Sequence, residues 1–214
     1  MAEIQFILSG VWITLEYALT SFVFGLVLGL VLALVKISGQ KSSRWKPFAY
    51  LADAYTSVFR GTPVLVQLSV VYFGIPHLFD YQISPLLAGI ITFSLNSGAY
   101  ISEIIRAGIR AIDPGQFEAA RTLQVPYFYT MKDIILPQAF RNVLPSLGNE
   151  ATTLIKETAL ISTLGENDLM RRAQLIAAEK YTYFFPLFTA AVCYFGLVLI
   201  FNFIFKKLEK KFSV

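Results

Sequence analysis

Asp113 to Pro137 reads DPGQFEAARTLQVPYFYTMKDIILP. It is a polar island in an oily chain, and the apolar runs on either side are long enough to span a bilayer. A loop so patterned, pinned between two membrane spans, is expected to touch something on one side of the membrane. Asp113-Pro114-Gly115-Gln116 is a helix start. Asp113 can cap, Pro114 suits the first helical position, and Gln116 stands where a capping-box side chain reaches back. The helix then runs from Gln116 to Leu123, and Ala119-Ala120 gives it a thin face that admits another surface closely. A second helix is expected from near Pro126, carrying Tyr127, Phe128, Tyr129 and Met131 and ending before Pro137. From physics alone, an amphipathic loop lying on the membrane surface fits equally well, since Tyr favours that interface.

Composition sets the class. Of 214 residues, 56% are hydrophobic and 15% charged, where a soluble domain carries about 25% charged. The mean hydropathy is +0.60. These values indicate a polytopic membrane protein with a single domain, residues 1–214. Cys193, the one cysteine, has no partner for an internal disulfide and cannot build a metal site alone. His77, the one histidine, sits in an expected outer loop without Cys or acidic neighbours, so no metal site is expected. The pI near 9.1 is read as Lys and Arg holding loops on the cytoplasmic side, not as nucleic-acid binding. The first apolar run is too long for a signal-peptide core and lacks a basic segment before it, so it is expected to stay as a span.

A hydrocarbon core of about 30 Å needs about 20 helical residues. Five spans follow: Gly10 to Ile37, Phe48 to Phe79, Pro85 to Ile105, Val143 to Leu164 and Phe184 to Phe205. The first contains Gly25 and Gly29, a small-residue spacing read as helix packing. The second is too long for one straight helix. It is interrupted at Arg60-Gly61-Thr62-Pro63, where Pro63 is expected to break or kink it, making Arg60, Gly61 and Pro63 gate or kink residues. Thirteen Lys and Arg residues fall on one side: four after span one, five in the loop 106–142 and four after span five. Only Arg171, Arg172 and Lys180 fall on the other. That asymmetry puts the long loop and C-terminus in the cytoplasm and the N-terminus outside.

Polar groups inside spans face protein or a water-filled cavity. Span four carries Asn149, Glu150, Thr153, Lys156 and Glu157. Span three carries Asn96, Tyr100 and Glu103, and Asp53 precedes the Pro63 break. Glu150 and Asn96 are read as lining a translocation path, with Asp53, Tyr100, Glu103, Asn149 and Thr153 as further candidates. Internal salt bridges, Glu103 with Arg106 or Glu157 with Lys156, are the competing role for those charges. An acidic lining suits a cationic substrate, so a polar, and by preference basic, amino acid is expected. No GxxxxGK[ST] loop is present, so ATP binding by that route is excluded. No Ser-His-Asp grouping is recognisable either, and no enzymatic role is expected. Asp168 to Lys180 is a polar, helical outer segment. It is either a meeting surface for a substrate-delivering protein or a plain connecting helix.

Glu118-Ala119-Ala120 followed by Ile135-Leu136-Pro137 resembles the EAA motif of ABC-importer permeases. The resemblance continues through Phe59-Arg60-Gly61-Thr62-Pro63 with Leu65-Val66-Gln67-Leu68, and through Asn96-Ser97-Gly98-Ala99-Tyr100 with Glu103-Ile104-Ile105-Arg106. It also takes in Gly115-Gln116, Pro145, Gly148-Asn149-Glu150 and Leu154-Ile155-Lys156-Glu157-Thr158. These segments match the polar amino acid branch and cover nearly the whole chain. One position departs: Gln124 stands where the family usually has a glycine suited to a positive-φ turn. The resemblance implies an all-α membrane protein with the five-transmembrane-helix type I importer fold, in a bacterial cytoplasmic membrane. It implies a permease working by alternating access, with Gln116, Glu118, Ala119, Ala120, Arg121 and Pro137 coupling it to an ATP-binding cassette ATPase. ATP and Mg would sit on that partner, with no cofactor in this chain. The other implied partners are a second permease subunit (homodimer or heterodimer), an extracellular or periplasmic amino acid-binding protein and membrane lipid. An autonomous ion-coupled carrier or channel, with Glu103, Glu150 and Glu157 as proton sites, is the rival from another class. A membrane scaffold is a third, disfavoured by the charges on span four.

Overall fold

The computed structural model describes residues 2–212, which form helices and short connections with no strand among them. A short helix α1 (Ala2–Leu8) leads into α2 (Val11–Lys41), apolar around its whole circumference. The 3-10 turn Ser43–Trp45 turns the chain back into α3 (Lys46–Gly61). There follow α4 (Val64–Ser69), a π turn Val70–Gly74, and α5 (Ile75–Phe79). The long helix α6 (Pro85–Arg110) is capped by Ser84, whose hydroxyl accepts from Leu87 N. Next come α7 (Pro114–Thr122), α8 (Tyr127–Tyr129), a π turn Thr130–Ile135 and α9 (Leu136–Glu157). A 3-10 segment Thr158–Leu164, α10 (Leu169–Glu179) and α11 (Phe184–Phe212) complete the chain.

The break foreseen at Pro63 is present. Thr62 and Pro63 are extended, and the limbs Ser43–Gly61 and Val64–Phe79 are bent by 104°. Pro137 behaves differently from expectation. The helix starting at Tyr127 does not end before it; α8, the π turn and α9 follow one another with helical dihedrals. Proline lacks the N–H and crowds the carbonyl four residues back, and a widened turn relieves both. The same device precedes Pro76. Other boundaries move as well: α6 runs on to Arg110, α11 runs on to Phe212, and Thr158–Leu164 is a 3-10 helix.

Helix α6 is the centre. It packs chiefly on α2 and α9, with α3 and α4 alongside, while α9 also packs on α11. Gly25 and Gly29 serve that packing. A Cβ on Gly29 would lie 2.6 Å from Ile101 Cγ2, so only glycine lets α2 and α6 approach so closely. Tyr17, Leu68, Phe93, Leu154 and Ile161 form a buried cluster joining these helices. Among the described residues, Ala2–Gln40 and Phe184–Phe212 are long and apolar enough to cross a membrane, and the bent pair makes a third if it is one span. Helices α6 and α9 fall short on that measure. Both are rich in buried residues, and these include Thr92, Asn96, Ser97 and Thr152.

Candidate functional site

At one end of the molecule, α7 lies across the start of the α8–α9 limb. Asp113 caps it as expected, its Oδ1 accepting from Gly115 N at 2.8 Å. Gln116 contributes its backbone N–H, to the Asp113 carbonyl at 3.0 Å. Phe117 packs against the cluster of Ile112, Ile135, Ala139 and Met131, and Ala120 is buried. Gln116, Glu118, Ala119 and Arg121 are exposed. The Ala-Ala pair is therefore divided: Ala120 lets α7 sit close on its own protein, and Ala119 leaves the outer face thin. Gln124 adopts φ 54. Val125 N donates to Ala120 O at 2.9 Å and Gln124 N to Arg121 O at 3.0 Å. This is the left-handed helix ending that glycine usually supplies, kept here despite the side chain. Pro137 is exposed at the start of α9, in the limb that supports α7.

Above α7, four charges join α2, α3 and α6. Lys36 is only 3% exposed. Its Nζ lies 2.7 Å from Glu103 Oε1 and 2.9 Å from Asp53 Oδ1, and it donates to Thr56 Oγ1 at 2.6 Å. The other oxygen of Glu103 pairs with Arg106. Asp53 and Glu103, candidates for the path, are thus engaged in an ion-pair cluster, and the foreseen Glu103–Arg106 pair is part of it. The other foreseen pair, Glu157 with Lys156, is not among the ion pairs of the described residues. Lys36 was counted only as a loop charge. Its position inside the last turns of an apolar helix was the available signal that it turns inward.

Asn96 and Gln67 secure the break. Asn96 Nδ2 donates to Phe59 O at 3.1 Å and Gln67 Oε1 at 3.0 Å. Gln67 Nε2 donates to Phe59 O at 2.8 Å and Thr62 Oγ1 at 2.9 Å. Carbonyls freed by a broken helix need partners where water is scarce, and these two amides provide them. Gln67 carried no assigned role in the sequence. Asn96, read as lining the path, is buried against the break.

Helix α9 has two unlike sides. Val143, Leu144, Leu147, Ala151, Leu154 and Ile155 are buried. Asn142, Pro145, Ser146, Asn149 and Lys156 are exposed and Thr153 half-buried, at spacings that put them on one face. At its α7 end this face opens into a cleft of about 410 Å3 with Arg60, Tyr100 and Glu103. The Arg60 guanidinium stands 5.2 Å from the Tyr100 ring centroid. Glu150 borders the face, half-buried, its Oε1 accepting from Ser97 Oγ at 2.7 Å. The structure therefore brings Arg60, Tyr100, Asn149, Glu150 and Thr153 to one open side. It holds Asn96 and Asp53 in bonds to neighbouring helices instead.

At the opposite end, α10 is strapped down. Asp168 is fully buried and caps α10, accepting from Arg171 N at 2.9 Å, Met170 N at 3.2 Å and Tyr194 Oη at 3.2 Å. Burial pushes its carboxyl up, to about 6, although those bonds pull the other way. Arg172 donates to Phe6 O and Ser9 Oγ, and Lys180 pairs with Glu3. These bonds fit a connecting helix tied to α1 and α11.

Three comparisons give the family. The chain is 53% identical over 212 residues to a Rickettsia felis permease protein named GlnP for glutamine transport, covering 99% of this chain and 95% of that one. It is 52% identical over 209 residues to the arginine transport system permease protein ArtQ of Bacillus subtilis, covering 98% and 93%. Its fold matches a crystal structure of an amino acid ABC transporter with histidines at TM-score 0.89 and 40% identity, covering 97% of this chain and 94% of that chain. The MetNI methionine ABC transporter, inward-facing, shares the fold at TM-score 0.80 and 19% identity, covering 97% and 96%. Residues 25–214 match the family described as binding-protein-dependent transport system inner membrane components, and the chain belongs to that family.

Proposed function

We propose that the open polar face of α9 is half of a translocation path, in a chain that is the permease subunit of an amino acid ABC importer. The chain carries no catalytic role of its own; ATP hydrolysis resides on a separate subunit. One observation carries the reading of the face: Asn142, Ser146, Asn149 and Lys156 are exposed and Thr153 half-buried, a polar stripe left largely open by the described residues. Polar side chains do not face lipid acyl chains, so the stripe faces water, substrate or a second permease subunit. Two such faces opposed would enclose a path, with α6 and α9 as inner spans and α2, the bent pair and α11 around them. Five spans with the α7 end in the cytoplasm and the membrane being the bacterial inner one complete this reading.

Substrate choice rests on Glu150. Relatives of nearly equal identity are named for glutamine and for arginine, so overall similarity does not decide between them. Glu150 borders the stripe with one oxygen held by Ser97 and no cation paired to it among the described residues. A carboxylate so placed favours a substrate with a second cationic group, and basic amino acids are the proposed cargo. Coupling follows from α7. Its exposed Glu118, Ala119 and Arg121 meet the ATPase, and Phe117 and Ala120 pass the motion to the α8–α9 limb, which is continuous with the stripe. An external binding protein delivers the amino acid at the α10 end.

The test uses single cysteines. Cys193→Ser gives a cysteine-free parent, and Asn149→Cys in that background is expected to react with a membrane-impermeant maleimide in the assembled transporter. Arginine is expected to slow that reaction more than glutamine does. An inert thiol that becomes reactive only on detergent extraction would place the stripe in lipid and remove the path.

A further inference from the structure

At the α7 end, a pocket of about 350 Å3 opens between the last turns of α2, the first turns of α3 and the end of α6. Lys36, Lys46, Arg106 and Arg110 line it against one carboxylate, Asp53. Glu103, just behind, also counts, since it pairs with both Lys36 and Arg106. Those two cations and two carboxylates neutralise one another. Lys46 and Arg110 are left over: both are exposed, and neither side chain has an ion pair among the described residues.

The first turn of α3 brings no acid to offset that positive charge. Lys46 opens that helix, whose N-cap, Trp45, supplies no side-chain bond. Lys46 N donates to Ser43 O and Pro47 has no N–H, so the positive charge of the pocket rests on its side chains. A hollow of about 650 Å3 shares Gln40, Arg106 and Arg110 with the pocket and continues beneath α7 between Ile109, Ile112 and Phe117. Trp45, Tyr50 and Leu51 are exposed beside the mouth. Amphipathic aromatics of this kind sit at headgroup level. Cationic pockets between membrane helices take lipid headgroups by the same electrostatics.

We propose that the pocket between α2, α3 and α6 is a phosphate-binding site, filled by the headgroup of an anionic phospholipid at the membrane face nearest α7. The site needs only that this groove lie at a membrane surface. It is independent of what crosses along α9.

Native mass spectrometry of the permease with its ATPase, titrated with phosphatidylglycerol or phosphatidylcholine, tests it. The double variant Lys46→Gln, Arg110→Gln is expected to bind phosphatidylglycerol roughly thirtyfold more weakly. Phosphatidylcholine binding should not change, and Lys206→Gln with Lys207→Gln should have far less effect. Equal loss in the two double variants, or no loss in the first, overturns the proposal. Should the first variant fail to fold, the parent protein still decides. Acetylation of Lys46 should slow in phosphatidylglycerol vesicles and not in phosphatidylcholine vesicles, and equal rates overturn the site. Direct binding of inorganic phosphate that displaces phosphatidylglycerol would keep the phosphate chemistry and assign the pocket to a soluble anion. Transport is not read in any arm, so failure of the translocation reading leaves these outcomes unchanged.

Discussion

Helices α9 and α11 lie side by side, and each leaves one face bare. On α11 the bare face is Phe185, Phe188, Val192, Phe195, Leu199 and Phe203, with Phe195 62% and Phe203 70% exposed. On α9 it is Asn142, Ser146, Asn149, Thr153 and Lys156. The helices run antiparallel, with Gly148 level with Phe205 and Ile155 with Leu197, so Phe195 to Phe203 lies beside the stretch Asn149 to Lys156, and no single solvent suits both. Hydrocarbon satisfies the first. The second requires water, a substrate or another protein surface. The difference teaches that exposure has no meaning in a membrane protein until the neighbour is specified. Side-chain chemistry on the exposed face specifies it.

The sharpest way to break that contrast is to put one charge on each face. Phe195→Arg on α11 is expected to cost about 3 kcal/mol of insertion, read as loss of membrane-integrated protein. Asn149→Arg on α9 is expected to insert normally and to lose transport. Equal insertion defects would mean that both faces meet lipid.

The next test concerns the seam that holds α9 in place. A Cβ on Gly108 would lie 2.1 Å from Val143 Cγ2. Gly108→Ala is expected to lower stability by about 1–3 kcal/mol in a detergent melt, because α6 and α9 must separate or Val143 must move. An unchanged melting temperature would show that the seam is loose and that the polar stripe is not rigidly presented.

A third test asks what anchors α11 on its inner side. The Asp168 carboxyl, touched by Tyr194 of α11, is raised from 3.8 to about 6 by burial. The folded state therefore holds the proton more tightly than the unfolded chain does. Stability is greatest below pH 4 and declines as pH rises from there to about 6, by about 3 kcal/mol at most, with no further change from this group above that. Melting curves across that window should show the slope in the parent and not in Asp168→Asn, which keeps a capping side chain. A slope that survives the substitution would assign it to another group.

The smallest expected effect lies in the turn after α7. Gln124→Gly relieves a left-handed side-chain conformation and is expected to stabilise by about 0.5–1 kcal/mol, since the entropy of glycine offsets part of the gain. ATPase coupling should be unchanged, because the turn geometry is already the one glycine would give.

Much of this was legible in the residues. The cap at Asp113, the break at Pro63 and the packing role of Gly25 and Gly29 all follow from local chemistry, and all are present. Pro137 misled because a proline ends a helix only if no wider turn is available, and the π turn over Thr130–Ile135 supplies one. Asn96 shows a different limit. A polar residue in a span advertises that it needs a partner, but composition cannot say whether that partner is a substrate or the orphaned carbonyl of Phe59. Lys36 is the converse case. A cation near a helix end reads as a cytoplasmic charge until Asp53 and Glu103, far away in the chain, are seen to surround it.

By itself, then, the order of residues determined where helices begin, where they bend and which segments are too oily for water, because those outcomes depend on neighbours within a few positions. Family membership was also readable there, through the Glu118 loop. Only the tertiary arrangement decided which polar groups are already satisfied and which stand open. A charge or amide seeks the nearest complementary atom in space, and that atom sits on another helix. Lys36 finds Glu103 on α6 and Asn96 finds the broken end of α3, while the stripe on α9 stays largely open among the described residues.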